Sequence, residues 1–236
     1  IRGKTLSPGL RRRLETVCSE PQRIWYDHPV QVGVAPENNE ILYGLQGLNE
    51  AMAFEKQRGS LAAEDRVVCV LSVSVTHQGL QDVARDYIQE EIRSAGGFEH
   101  LHVFAFTESD TIRLGREVLQ PAANRYLGGN HPAAAFPEVF GVDGEYGRHY
   151  SFLKAVAPLW QVLVDPAVRA TFKIDLDQVF PQERLVAEAG ASALEHLQTP
   201  LWGAQGEDSQ GRSVDLGLLA GALVNEGDIH KGLFTP

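Results

Sequence analysis

The strongest constraint on the fold is an alternation of strand and helix patterns in the central part of the chain. Residues 66–75, RVVCVLSVSV, are almost continuously apolar, which is typical of a central strand covered on both faces. Residues 80–94 carry apolar side chains at helical spacing. Residues 101–110, LHVFAFTESD, predict a second strand, and residues 111–119 a second helix. Strand-helix units with short connections predict a parallel sheet with crossover helices, and therefore the α/β class.

The flanking segments predict an arrangement around that sheet. Residues 1–60 are predicted to form an N-terminal extension that packs on a single main domain of residues 61–236. Two helices are expected in the extension, at residues 6–17 and 40–57. The second has its apolar side chains at helix-compatible positions, namely Leu42, Leu45, Leu48 and Met52.

Downstream of the central units, the pattern becomes less regular. We predict irregular structure over residues 120–142, which are rich in proline and glycine, with one short strand near their end. The remaining predictions are helices at 148–164, 184–197 and 214–224, a strand at 171–176 and a glycine-rich loop at 201–213.

Composition restricts the partners of the chain. Its 236 residues include 31 acids and 21 bases, and the net charge of -10 disfavours binding to nucleic acid or anionic membranes. Its apolar runs fall short of the roughly 18 residues that span a bilayer, and no signal-peptide pattern opens it, so a cytoplasmic location is expected. A first residue other than Met and a last residue Pro236 are compatible with a fragment of a longer protein.

Two acids follow the predicted strand at 171–176, in the segment TFKIDLDQVFP. Asp175 and Asp177 are separated by one residue, so both carboxylates could reach one ion where the strand ends and the backbone turns. Oxygen ligands of this kind suit Mg²⁺ or Mn²⁺, which complete their coordination with water and substrate phosphates. A solvated acidic pair at a turn, or a helix cap at Asp177, is the alternative explanation, since D-x-D alone is a weak motif.

The order of these segments resembles the nucleotide-diphosphate-sugar glycosyltransferases of the GT-A fold. The residues that carry the resemblance lie between 65 and about 180: TESDT after the second strand, GEYGRHYSFLKA with its glycine and arginine, and FKIDLDQVFP with its D-x-D. The resemblance implies a Rossmann-like sandwich with a mostly parallel central sheet. It also implies a hexosyltransferase-like enzyme that moves a sugar from a nucleotide-diphosphate donor to an unknown acceptor, with Mn²⁺ or Mg²⁺ as cofactor.

The resemblance also implies roles for individual residues at the donor site. Asp177 and Asp175 would hold the metal against the diphosphate, with the first acid of the pair, Asp175, also able to face the donor sugar or ribose. Thr76 and Glu108 would flank the nucleoside, because ligands of open α/β sheets bind at the carboxyl ends of the strands. Arg148 would meet phosphate or base.

Four further residues are candidates in the C-terminal part of the chain. Trp202 offers a flat apolar face to a sugar ring. Glu207 and Asp208 are candidates for the general base that deprotonates the acceptor hydroxyl, although they follow the D-x-D more closely than in the family. His230 is a candidate for a further metal ligand.

Three other functions compete with glycosyl transfer. IDLDQVF also fits the nucleophile motif of haloacid-dehalogenase-type phosphohydrolases, in which the first Asp attacks phosphorus. That family needs a later acidic pair, and no Asp-Asp follows Asp177. Sugar nucleotidyl transfer needs a glycine-rich basic loop after the first strand, and THQG, residues 76–79, lacks it. A non-catalytic binder of nucleotide sugars would retain the D-x-D without a working base.

Overall fold

The computed structural model describes residues 6–19, 38–73, 75, 79–136, 166, 174–176, 178, 181–198, 206–207 and 210–214. The chain divides into two compact units, Ile1–Val179 and Phe180–Pro236. The described ranges mix helices with strands, and the first unit contains a parallel strand pair, in agreement with the α/β class. Within these ranges, no helix is both long and apolar enough to cross a membrane.

The first unit is built around a strand-helix-strand segment. Strand β1 (Val67–Ser72) and strand β2 (Leu101–Phe106) pair in parallel, and helix α3 (Gln81–Ser94) connects them. The register places Val67 opposite Leu101 and Ser72 opposite Phe106. Parallel neighbours require a crossover connection, which α3 supplies. The predicted strand-helix-strand order and the parallel pairing are therefore confirmed.

The burial of β1 differs from the prediction. A strand covered on both faces was expected, but within β1 only Leu71 is buried and the other five residues are half-buried. In β2, Phe104 keeps 59% of its surface exposed. The described part of this sheet consists of β1 and β2.

Cys69 lies in the middle of β1 and behaves as an apolar residue. Its burial raises the pKa of the thiol from 9.0 to about 11, because the charged thiolate is poorly solvated there. The side chain therefore stays neutral near pH 7 and packs as a small apolar residue of the strand.

Among the described residues, two helices precede the strands, at the positions that the sequence predicts. Helix α1 (Pro8–Val17) packs on α3, and helix α2 (Glu40–Arg58) runs from an Asn39 cap to Gly59, which has a left-handed φ of 77°. The predicted apolar face of α2 is buried, and it includes further residues; its buried set is Ile41, Leu42, Gly44, Leu45, Leu48, Ala51, Met52 and Glu55.

Hydrogen bonds attach α2 to the strand-helix-strand segment. The Asn39 amide Nδ2 donates to Glu91 Oε2 of α3 at 3.0 Å. Near the other end, Asn49 Oδ1 accepts from the backbone N–H of His100, directly before β2, at 2.9 Å. Since Asn39 and Glu91 are both buried, α2 is fixed to α3 by a bond shielded from water.

The helix after β2 is longer than predicted. It consists of α4 (Glu108–Leu114), a π-helical turn (Gly115–Leu119) and α5 (Gln120–Tyr126), so the prediction of irregular structure is wrong for residues 120–126. Pro121 lacks an N–H and disfavours a regular helix interior. The widened turn, in which Gln120 N–H donates to Gly115 O, directly precedes this proline.

In its described residues, the second unit has two short helices and an antiparallel strand pair. The single helix predicted at 184–197 is instead α6 (Gln182–Ala189) and α7 (Ala193–Gln198), because Gly190 ends α6 with a φ of 77°. Ser192 then caps α7: its Oγ accepts from Glu195 N–H at 3.1 Å and its own N–H donates to Glu195 Oε2 at 2.8 Å. Part of the predicted glycine-rich loop forms an antiparallel pair, β3 (Gly206–Glu207) with β4 (Ser213–Val214).

Several predicted elements lie outside the described residues. They are the short strand near 138–142, the helix at 148–164, residues 171–173 of the predicted strand and residues 215–224 of the last helix.

Candidate functional site

Polar groups meet at the carboxyl edge of the β1–β2 pair. Beyond β1, the backbone N–H of Val75 donates to Glu108 Oε1 at 2.6 Å, and the carbonyl of Val75 accepts from Gln81 Nε2 at 3.1 Å. Glu108 is the first residue of α4, so its carboxylate connects the end of β1 to the end of β2. The carboxyl edge of a parallel sheet is where ligands of this fold class bind, and Glu108 lies there as predicted.

Thr107 and Asp110 form a capping box at the start of α4. Asp110 Oδ2 accepts from the backbone N–H of Thr107 at 2.9 Å and from its hydroxyl at 3.3 Å. The segment TESD was predicted as a strand end, but this capping box makes it the start of a helix. Capping-box acids satisfy backbone donors that would otherwise have no partner, so Asp110 has a structural role.

Replacement of that acid should weaken the edge of the sheet. We expect Asp110→Ala to lower the free energy of unfolding by about 1 kcal/mol, because the N–H of Thr107 loses its acceptor. The substitution also removes a contact of Asp110 with Arg85 NH1 at 3.5 Å. Asp110→Asn retains an acceptor oxygen and should recover most of the loss in urea titrations. Equal losses in the two variants would contradict the capping role.

The D-x-D segment forms a turn. The backbone N–H of Gln178 donates to the carbonyl of Asp175 at 3.0 Å, and Gln178 Nε2 donates to Asp175 Oδ2 at 3.1 Å. Residues 174–176 are therefore not part of a strand, which corrects the prediction for that segment. An acid at the first position of such a turn is common, because its side chain can bond to the groups that follow. Asp175 is exposed to solvent, so its carboxylate is accessible to an ion.

The backbone of this turn lies directly against α2. A Cβ atom placed on Gly44 would lie 2.4 Å from the carbonyl oxygen of Leu176 and 2.7 Å from its Cα. Sequence analysis missed Gly44 as a site residue. The available signal was a glycine on the apolar face of a helix, where it costs about 1 kcal/mol relative to alanine and so implies a close approach.

The structure describes Glu108 and Asp175 with their side chains, Glu207 only in its backbone, and none of the other predicted site residues. Glu108 and Asp175 both belong to the first unit. The backbone of Glu207 lies in β3 of the second unit, where it pairs with Ser213. The other predicted residues lie outside the described part of the chain; they are Thr76, Arg148, Asp177, Trp202, Asp208 and His230.

The metal site therefore stays a prediction. Among the described residues, no group of three His, Cys, Asp or Glu side chains is arranged to hold an ion. Asp175 is the one predicted ligand that belongs to this described set.

A separate groove of about 560 Å³ lies between α1 and α3. An ion pair between Arg13 and Asp86 joins the two helices beside it. The charged residues of its lining have both signs and largely cancel; they are Arg12, Arg13, Arg93, Asp86 and Glu90. The groove is therefore not strongly selective for an anion or a cation.

Comparison with known proteins adds no relative to this description. The chain matches no protein family, no curated protein and no solved structure.

Proposed function

We propose that the chain is a metal-dependent glycosyltransferase of the GT-A type, which uses a nucleotide-diphosphate sugar as donor. The observation that carries the proposal is the exposed D-x-D turn at Asp175, which belongs to the same compact unit as a parallel strand pair with an acid at its carboxyl edge. A nucleoside-binding edge and an exposed acidic turn are the two parts that such a donor site needs.

The residues present suit a hard divalent cation. Asp175 offers carboxylate oxygen in an exposed turn, and Asp177 follows two residues later. Carboxylate oxygens are typical ligands of Mg²⁺ and Mn²⁺. We therefore assign Asp175 and Asp177 to the metal, with His230 as a candidate third ligand. When bound, the ion would offset the negative charge that develops on the departing diphosphate.

The remaining predicted residues would bind the donor and activate the acceptor. We assign Thr76 and Glu108 to the nucleoside and Arg148 to the phosphates. Glu108 already accepts the backbone N–H of Val75, so it would fix the end of β1 while its carboxylate borders the nucleoside. Trp202 would pack against the sugar ring.

Sugar transfer exchanges one bond for another at the anomeric carbon. The bond from that carbon to the diphosphate oxygen breaks, and a bond to the acceptor oxygen forms. In an inverting reaction, Asp208 or Glu207 would take the proton of the acceptor hydroxyl. The diphosphate leaves with the electron pair of the broken bond.

A ligand-dependent stability measurement tests the proposal. We expect Mn²⁺ together with one of a panel of nucleoside diphosphates to raise the Tm of the full chain by about 5–10 °C at a hundredfold excess over Kd. Asp175→Asn and Asp177→Asn should each reduce that shift strongly. Glu64→Gln makes the same charge change at an exposed position outside the site and should leave the shift intact. If no nucleoside diphosphate stabilises the chain with metal present, the proposal fails.

Two assays separate the competing functions. Release of nucleoside diphosphate from the matching nucleotide sugar, with sugar recovered on an acceptor or on water, supports a transferase; binding without turnover supports a non-catalytic binder. Trapping of an acyl phosphate on Asp175 would instead support the phosphohydrolase.

A further inference from the structure

Helix α2 lies close against the D-x-D turn at Gly44. A Cβ atom at this position would lie 2.4 Å, 2.7 Å and 2.9 Å from the carbonyl oxygen, the Cα and the carbonyl carbon of Leu176. All three are backbone atoms, which cannot rotate away as the end of a side chain can. Real Cβ contacts essentially never fall below 3.0 Å, so a side chain at this position requires a shift of the backbone.

Helix α2 is the more rigid of the two partners. Its start is capped by Asn39, whose Oδ1 accepts from Ile41 N–H at 3.1 Å and Leu42 N–H at 3.3 Å. Its neighbours along the buried face, Leu45 and Leu48, are 1% and 4% exposed. A strain between α2 and the turn would thus move the turn, because packed cores deform little.

The turn lies near the surface. Asp175 is exposed, and Gln178 closes the turn with a bond from its backbone N–H to the carbonyl of Asp175 and a bond from its side chain to Asp175 Oδ2. Leu176 is half-buried. Its contact with Gly44 therefore bears directly on where the backbone of Leu176 lies.

We infer that Gly44 is a positioning residue for the D-x-D motif, whose acids would bind metal: the missing side chain lets the Leu176 carbonyl rest on α2, and this sets the place of Asp175, the acid that directly precedes Leu176. The inference rests on the proposed function in one respect, the use of those acids to bind metal. An ordinary van der Waals contact starts at 3.4 Å, so even one methyl group must displace the turn. Displacements of about 1 Å at a site can reduce activity by about 10²-fold.

The test compares Gly44→Ala with the wild-type chain in two measurements at a temperature well below Tm. Hydrogen exchange at the Gln178 amide reports on the turn itself, and we expect it to become at least tenfold faster, while the amides of α2 near Leu45 and Leu48 stay protected. Binding of Mn²⁺ alone, followed by its electron paramagnetic resonance signal, should weaken by about tenfold or more.

A matched glycine serves as control. Gly9 lies in α1, and a Cβ placed on it meets nothing within 4 Å. Gly9→Ala should therefore change neither the Gln178 amide nor Mn²⁺ binding. A Gly9→Ala variant that also weakens Mn²⁺ binding would show that the effect is general, and would overturn the inference.

A second variant keeps the test decisive if Gly44→Ala does not fold. Gln178→Ala leaves α2 intact and removes the bond to Asp175 Oδ2. It should weaken Mn²⁺ binding in the same direction, and unchanged binding in this variant would count against a positioned turn.

The two readouts separate the failure of the inference from that of the proposed function. If wild-type chain does not bind Mn²⁺, the proposed function fails, yet faster exchange in Gly44→Ala would still show that Gly44 places the turn. If exchange at Gln178 is unchanged, the placement itself is refuted. If exchange is faster but Mn²⁺ binding is equal in the two proteins, the role in metal binding is refuted.

Discussion

Asn39→Asp should destabilise the first unit by about 3 kcal/mol at pH 8. Asn39 and Glu91 are 4% and 3% exposed, and the amide of Asn39 donates to the carboxylate of Glu91. The substitution replaces that donor by a second carboxylate. Two buried carboxylates in contact repel each other and have lost the solvation that would screen them.

Helix capping alone would predict a change in stability of the opposite sign. Asn and Asp are about equally good caps, and a negative charge at the start of a helix is favourable by about 0.5 kcal/mol. An isolated α2 would therefore gain slightly from the substitution. The loss comes from the tertiary contact with α3, and it should exceed the gain several-fold.

Chemical denaturation of the single and the double variant checks this prediction. In Asn39→Asp/Glu91→Gln the donor and acceptor exchange places, and most of the stability should return. A single variant as stable as wild type, or a double variant no better than the sum of its single changes, would contradict the prediction.

The second large effect is expected from Gly44→Ala, which should lower the free energy of unfolding by about 2 kcal/mol. In a helix interior, alanine is normally preferred to glycine by about 1 kcal/mol. At this position, however, the new methyl group meets the backbone of Leu176 at 2.4 Å. The clash outweighs the gain in helix propensity, because neither the buried helix nor a backbone carbonyl can yield without loss of contacts.

Alanine substitutions at two other glycines, Gly9 and Gly115, should change the stability in a way that follows the space around each glycine. Gly9→Ala meets open space and should stabilise the chain by about 0.5 kcal/mol. At Gly115, in the π-helical turn, the nearest atom is Phe136 Cβ at 3.1 Å, so a small shift of a side chain should bring the net change close to zero. Thermal unfolding of the three variants should follow the order of these distances. Stabilisation by Gly44→Ala would contradict the observed approach of Leu176 to α2.

The helices and strands of the first unit could largely be predicted from local pattern. The apolar face of α2 is periodic over many residues and the β1 segment is a nearly continuous apolar run, and both elements lie where these patterns predict. Short signals were harder to interpret. The box SALE at Ser192–Glu195 and the glycine at 190 do mark a helix boundary, but a composition-based interpretation joined the two helices into one.

The candidate site could be predicted only in part. Glu108 follows β2 after one residue, and the parallel order of the strands places the end of β2 at the carboxyl edge of the sheet. Its position could therefore be predicted from the sequence. The turn at Asp175 was predicted as a strand end, since a short apolar run before an acid does not distinguish the two. Its contact with Gly44 joins two positions far apart in the chain, and no local pattern encodes their meeting.

The sequence by itself therefore determined the α/β class, the parallel order of β1 and β2 and the helices around them, because hydrophobic periodicity and capping are local properties of the chain. Only the tertiary structure decided which polar and small residues contact a distant segment of the chain. From its local pattern, Asn39 is the N-cap of α2. In the tertiary structure, its side chain also donates a buried hydrogen bond to Glu91 of α3. From its local pattern, Gly44 only lowers the helix propensity of α2. In the tertiary structure, it is the position at which the backbone of Leu176 lies against that helix. Contacts between distant segments depend on how the elements come together, and that is not a periodic property of any one of them.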